Sequence, residues 1–441
     1  MFKYLLCFYL IVPISGFSQH QITGSFSPPS KFKATMLYHL SAGDATYTSY
    51  GTVDEQGAMQ IDLDAAAPTG MYRVVYALPQ SEHNFEFIYN GKEDVVFNFD
   101  ATRGIKFISS KENQLLHSYK GSIATAQNEL MKLYAQPPVD SINYIDHVQK
   151  IDSLQNAYET LSKGTIAAHF IAASKPYIPS KLEPAETYVA HAKAHFFKAV
   201  NFQNKTLQSS NFIIDKCIDY IFEMHTSQTP SFQDFTSNID TVYQSFLETE
   251  LLYQLTSLNI LNEILIDLKQ EALAVYLTQT YVLPLASQLN AIELIVSMES
   301  FLRVAVGAKA PNFEIKNPKN ELKISLYDLK GNSNYILIFW SSDCGHCMNE
   351  LPEIHAYISK HPEKDIKVIA IGLENNLQPW DQAIQLWPKF THAIAEGKWE
   401  NNIPIHYDIT ATPSYFVLDA SKTITSKPYL LKDLKAVLDQ K

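Results

Sequence analysis

Cysteine is scarce in this chain. Its 441 residues carry four, Cys7, Cys217, Cys344 and Cys347, and only the last two stand close together. Without a second cysteine pair, a zinc site built from paired thiolates lacks half of its four ligands. Positive charge is also short. A net charge of −11 argues against nonspecific nucleic-acid binding, which needs a positive field. No block of like charges marks a tail or a membrane patch. The apolar run Tyr4 to Val12 falls well below the ~20 residues that cross a bilayer. Glycine is nearly absent between Glu112 and Val306, where prolines do the punctuating instead.

What remains is ordinary for a soluble globular chain, and the length leaves room for more than one domain. Lys3, the apolar run Tyr4–Val12 ended by Pro13, and the small-x-small triplet Gly16-Phe17-Ser18 predict a signal peptide over 1–18. Cys7 lies inside the apolar run rather than at its end, which argues against lipid modification. The other reading of this stretch is a hydrophobic N-terminal strand. Export places the mature chain in an oxidising compartment, the periplasm, where a close cysteine pair is either a bridge or a catalyst.

Three patterns follow one another. Residues 19–105 hold short runs rich in β-branched and aromatic residues, Met71–Leu78, Phe85–Tyr89 and Val95–Phe99. They are bounded by Pro68-Thr69-Gly70, Pro79-Gln80-Ser81 and Asn90-Gly91, and Asp54–Gly57 reads as a further hairpin turn. This spacing predicts a small β-sandwich. Residues 106–303 switch to helical periodicity, as in Leu115, Tyr119, Ile123 and Ala126, or Ile145, Val148, Ile151, Leu154, Tyr158 and Leu161. Pro137-Pro138, Pro176, Pro179, Pro184 and Pro230 fall between helical stretches, and Pro284 interrupts one. An all-α region of about seven helices is expected. Residues 304–441 alternate strand and helix. Tyr335–Trp340 and Ile366–Ile371 are continuous apolar runs, as for strands buried on both faces.

One such run ends at Trp340-Ser341-Ser342-Asp343-Cys344-Gly345-His346-Cys347, just before a helical stretch. A thiolate is the attacking species in disulfide exchange. A helix N-terminus stabilises one at Cys344, through unpaired N–H groups and the helix dipole. Cys347, one turn on, lies on the same face and is expected to be more buried. Cys344 is therefore the expected attacker and Cys347 the resolver. A cationic or hydrogen-bonding His346 favours the reduced form, whereas the charge of Asp343 raises the Cys344 pKa.

The octapeptide resembles the active-site turn of thioredoxin-fold oxidoreductases, and its frame resembles the TlpA/ResA branch of exported thiol–disulfide oxidoreductases. Gly307–Phe313 is similar to that branch's opening strand, and Pro352 to its helix-kinking proline. Thr412-Pro413 is similar to its cis-proline loop, and Glu350 to a helix-borne acid near the dithiol. The resemblance implies a C-terminal α/β thioredoxin fold over 304–441. Cys344, Cys347, Glu350 and Pro413 are the implied catalytic set, supported by Trp340, Gly345, His346 and Thr412. It implies no cofactor and no metal. It also implies exported cysteine-bearing proteins as substrates and a membrane thiol donor as partner; net reduction, oxidation and isomerisation all stay open. Thioredoxin's buried aspartate is replaced here by Ile338. Glu350 is then the candidate proton acceptor for Cys347, with Glu374 and His346 behind it. The region before residue 304 resembles N-terminal extensions of TlpA-like proteins of Bacteroidetes.

Two rival readings stand beside this one. A thiol peroxidase shares the opening strand, but no threonine and arginine flank Cys344. A binding or scaffold protein would use the fold as a platform only and would tolerate loss of both cysteines. His191 and His195, four apart, read as helix-surface residues rather than metal ligands, and Cys217 as a small buried hydrophobe.

Overall fold

A computed structural model describes residues 20–80, 82–135, 140–317 and 320–440. The expected leader 1–18 and the pair Pro137-Pro138 lie outside them. Packing divides the chain into two units, 1–257 and 258–441.

The first unit opens with eight strands. They are β1 (Gln21–Ser27), β2 (Ala34–Ser41), β3 (Asp44–Thr52), β4 (Ala58–Asp62), β5 (Gly70–Val75), β6 (Asn84–Tyr89), β7 (Val95–Asp100) and β8 (Gly104–Phe107). They form two four-stranded sheets, ordered β4-β1-β7-β8 and β3-β2-β5-β6. Alternate residues of both sheets meet in one core: Ile22, Phe26 and Phe97 from the first, Leu37, Tyr72 and Phe87 from the second. Period-two alternation puts these side chains on one face of each strand. Gly24 is required where it stands, because a Cβ there would lie 2.3 Å from the Phe97 ring. Asp54 Oδ1 accepts from the N–H of Gln56 and of Ala58, which makes the tight turn read from the sequence. The turn does not close a hairpin within one sheet, however. β3 and β4 belong to different sheets, so it carries the chain from one to the other.

Helices α1 (Lys111–Tyr134), α2 (Ser141–Leu161), α3 (Ala167–Ala173), α4 (Ala185–His195), α5 (Lys205–Gln208), α6 (Phe212–Glu223) and α7 (Phe232–Phe246) follow. Asp140 caps α2 by accepting from the Ile142 N–H, and Ser231 and Asp234 form a reciprocal capping box on α7. The division between units falls inside α8 (Leu251–Asp267), which is followed by α9 (Glu271–Leu277), α10 (Leu283–Gln288) and α11 (Ile292–Arg303). These eleven helices exceed the seven expected, because α3, α5, α9 and α10 are too short for an apolar period to register. Pro284 sits in the first turn of α10, directly after a π-turn at Thr278–Val282. The missing proline N–H is accommodated by that local widening rather than by a break in the helix. Among the described residues, no helix is long and apolar enough to cross a membrane.

In the second unit, Glu271 accepts from the Val306 N–H and pairs with Lys427 at 2.5 Å, tying α9 to the α/β part. That part contains β9 (Glu314–Asn317), β10 (Asn320–Ser325), β11 (Asn334–Trp340), α12 (Gly345–Lys360), β12 (Ile366–Glu374), α13 (Leu377–Ile384), β13 (Thr391–Glu396), α14 (Asn402–His406), β14 (Ser414–Asp419), β15 (Ile424–Ser426) and α15 (Leu431–Asp439). The central sheet is ordered β13-β12-β11-β14-β15. β11, β12 and β13 are parallel, whereas β14 and β15 run antiparallel to their neighbours. Both faces are covered. Ile336, Ile338 and Trp340 of β11 pack with Leu351 and Ile354 of α12, while Tyr335, Leu337 and Phe339 pack with Phe313 and Tyr407 on the other side. Two buried faces explain the unbroken apolar runs. The chain leaves the sheet only beyond the C-terminal end of β11.

Candidate redox site

That end carries the dithiol. β11 closes on Trp340, which is fully buried and stands edge-on to Trp387 with ring centroids 5.2 Å apart. Ser341 to Asp343 turn the chain outward, and Cys344 takes the N-cap position of α12 in extended conformation. Its sulfur accepts from the Cys347 N–H at 3.2 Å, which satisfies one of the orphan donors of the first helical turn. Cys344 and Cys347 are joined in a disulfide, Cα to Cα 5.3 Å. Cys344 is partly exposed and Cys347 fully buried, the asymmetry that the turn-apart spacing predicts. Gly345 and His346 between them are exposed. Pro352 lies inside α12, where it removes the N–H that would reach the Met348 carbonyl.

The loop before β14 faces the disulfide. The Thr412–Pro413 peptide is cis, and the Thr412 carbonyl oxygen lies 3.4 Å from Cys344 Sγ. The reduced thiol can donate to that oxygen, and an extended peptide can pair with the same stretch of backbone.

The three acids named from the sequence sit in different surroundings. Glu350, one turn after Cys347, accepts from the Tyr415 hydroxyl on β14. Burial and this carboxylate neighbour push the Tyr415 phenol well above its usual range. Tyr415 shares its core cluster with Cys347, and Glu350 itself is half-buried. Glu374, 3% exposed at the end of β12, accepts from the Ser342 N–H at 2.5 Å and from Ser342 Oγ at 3.0 Å. Burial raises its pKa, and the two Ser342 bonds oppose that. Asp343 is paired at 2.6 Å with Lys398, and its other oxygen accepts from Ser341 Oγ. The Lys398 hydrogen bond and then the Ser341 bond hold its carboxyl below the usual range. The Asp343 charge is therefore countered by a lysine that sequence spacing does not reveal. Ile338 lies in the core with no exposure. His191 meets Glu183 at 3.0 Å and Tyr177 at 3.2 Å, a partner set that the i, i+4 spacing with His195 did not suggest. Among the described residues, no group of three or more candidate ligands could hold a metal ion.

Glu374 gives a test of this electrostatic layout. A carboxyl whose folded-state pKa is raised contributes stability fully below its unfolded value, about 4.3, and loses it as pH rises through the folded value. Glu374→Gln removes that dependence. The expected outcome is that the stability of the variant relative to the wild type is more favourable at pH 7 than at pH 4, measured by denaturant unfolding.

Residues 306–427 match the AhpC/TSA family. A thiol-disulfide oxidoreductase ResA of Bacillus cereus is 29% identical over 132 residues, which are 28% of this chain and 70% of that protein. ResA of Bacillus anthracis is 30% identical over 118 residues, 26% of this chain and 65% of its own length. The crystal structure of a domain of a possible thiol-disulfide isomerase from Cytophaga hutchinsonii is 32% identical, covering 31% of this chain and 91% of that one with a TM-score of 0.28. With the dithiol at the head of α12, the cis-proline loop against it and the five-stranded sheet beneath, the C-terminal part of this chain matches the AhpC/TSA family and is similar to the ResA thiol–disulfide oxidoreductases.

Proposed function

We propose that the whole protein is exported to the periplasm and there reduces or isomerises disulfides of other exported proteins through Cys344 and Cys347. The observation that carries this reading is the disulfide itself: one sulfur partly exposed at a helix N-terminus, the other fully buried beneath it. The Cys344 thiolate attacks a substrate disulfide. One substrate sulfur leaves as a thiolate and takes up a proton, and the other is held as a mixed disulfide. Cys347 then loses its proton to a base, for which Glu350 is the candidate. It attacks Cys344, releases the second substrate thiol and leaves the Cys344–Cys347 disulfide. Two electrons have passed to the substrate, and an external thiol donor at the membrane must return the couple to the dithiol. Pro413 shapes the groove and Thr412 offers backbone to the substrate segment. The leader over 1–18 supports export. The shared core of the two four-stranded sheets supports reading residues 19–105 as a β-sandwich, with 106–303 as a helical region between it and the redox domain.

The test is equilibration of the full chain with graded mixtures of reduced and oxidised glutathione. A two-electron transition that a Cys344→Ser variant lacks is the expected result, together with turnover of a protein disulfide under a thiol donor. A chain that stays disulfide-bonded across the whole range, or that consumes hydrogen peroxide instead, would sink the reading.

A further inference from the structure

One residue anchors two turns, one of them the turn before the dithiol. The Glu374 carboxylate binds the N–H and hydroxyl of Ser342, while its backbone carbonyl accepts from the Gly397 N–H at 3.1 Å. Gly397 and Lys398 both take positive φ, 89° and 49°. For a lysine this is an uncommon conformation that persists only where the surroundings enforce it. The result is that Lys398 Nζ stands 2.6 Å from Asp343 Oδ2, in a side chain only 24% exposed. Asp343 is the residue immediately before Cys344. An acid and a lysine 55 residues apart are thus brought together at the residue before the attacking cysteine, each on a turn anchored to Glu374.

We propose that the Asp343–Lys398 pair sets the reduction potential of the Cys344–Cys347 couple, with Glu374 as the positioning residue that holds both partners. The inference rests on the redox reading above. The disulfide carries no charge and the reduced form carries a thiolate on Cys344, so a nearby charge acts on the reduced form alone. With the pair intact, the two charges oppose each other at the sulfur. Removing the lysine leaves the Asp343 carboxylate, on the residue before Cys344, without its counter-charge, and the equilibrium moves toward the disulfide. Removing the aspartate leaves a lone ammonium, and the equilibrium moves toward the dithiol. Other titratable groups around the turn are His346 on the same helix, Glu350 one turn on, the phenol of Tyr415 from β14, and Glu374 from β12. All of them stay in place in these variants.

The full chain is equilibrated in glutathione buffers as wild type, Lys398→Met, Asp343→Asn, the double variant and Lys398→Arg. In parallel, the Cys344 pKa is followed by thiolate absorbance. Lys398→Met is expected to move the redox equilibrium about tenfold toward the disulfide, which is ~30 mV for a two-electron couple, and to raise the Cys344 pKa. Asp343→Asn is expected to move both in the opposite direction. The double variant returns to within about twofold of the wild type, and Lys398→Arg stays there. A merely structural role would move both single variants in the same direction and would not be repaired by the second change. Single variants that shift together, or that stay within twofold of the wild type, overturn the proposal. Should Lys398→Met fail to fold, the opposite shift in Asp343→Asn and the unchanged Lys398→Arg still decide it. A wild-type chain without a reversible couple refutes the redox reading itself, whereas a reversible couple indifferent to the pair refutes this inference alone.

Discussion

Cys347→Ala converts the chain into a covalent trap. Recovered from its native compartment, the variant is expected to carry partner proteins in bonds that dithiothreitol breaks, and a Cys344→Ala, Cys347→Ala double variant carries none. The reason lies in the placement of the second sulfur. In the wild type, Cys347 sits one helical turn from Cys344, within bonding distance, so resolution of a mixed disulfide is intramolecular. Well-oriented intramolecular groups act at effective concentrations of ~10⁵ M or more, against roughly millimolar free thiol outside. Losing Cys347 therefore lengthens the life of the mixed disulfide by at least about a thousandfold. Burial makes the effect one-sided. Cys347 is closed off from solvent, so the mirror variant Cys344→Ala leaves a thiol that partners cannot reach and should trap nothing. Equal trapping by both single variants would mean that the attacking sulfur had been misidentified. Absence of trapped partners from Cys347→Ala would remove the redox role altogether.

The parts of this site that could be read in the sequence are those whose physics is local. The dithiol spacing, the helix that follows it and the apolar strand before it lie within a few residues of one another. A cysteine pair one turn apart at a helix start has few other meanings once a second pair is missing. Cys217 was equally legible: it is fully buried in α6, and burial pushes its thiol up, as for an inert packing residue. What escaped was long-range. Lys398 reaches Asp343 from the far end of β13, and Tyr415 reaches Glu350 from β14; neither carries a periodic or spacing signal. Tyr415 had one weak cue, its place two residues after Pro413 at the start of a strand. Glu374 looked like a possible proton acceptor, yet its hydrogen bonds hold backbone and hydroxyl of Ser342. In the first unit, the strands followed from alternation, but sheet membership did not. β1 pairs with β4 and β7, and nothing in the local pattern of Gln21–Ser27 names those partners. The change of composition near Gly307 marks where strands return, whereas packing places the unit boundary inside α8, because α9 and α11 are bound to the α/β part.

Trp380→Ala is expected to lower the stability of the second unit by about 3–5 kcal/mol, the usual range for emptying a buried tryptophan site. Trp380 has no exposure, and its ring lies against the backbone of Gly372 on β12. A Cβ at Gly372 would stand 2.5 Å from both Cδ1 and Nε1 of the indole. Gly372→Val alone therefore overpacks the site and is expected to destabilise by about 1–3 kcal/mol. The two changes are complementary, since the valine methyls enter the space that the indole leaves. The double variant should lose less than the summed single losses, with a coupling of about 1 kcal/mol or more, read from denaturant midpoints by circular dichroism. The pairing also links packing to the redox turn. Gly372 stands opposite Trp340 in the β11–β12 register, and Glu374 follows two residues later, where it holds Ser342. Displacing β12 at Gly372 therefore shifts the anchor of the turn that presents Cys344. Gly372→Val should move the glutathione equilibrium of the couple as well as the unfolding midpoint, and the added Trp380→Ala should bring the equilibrium back toward the wild type while the midpoint falls by less than the summed single losses. A coupled midpoint with an unrestored equilibrium would break the proposed link between the strand end and the sulfur.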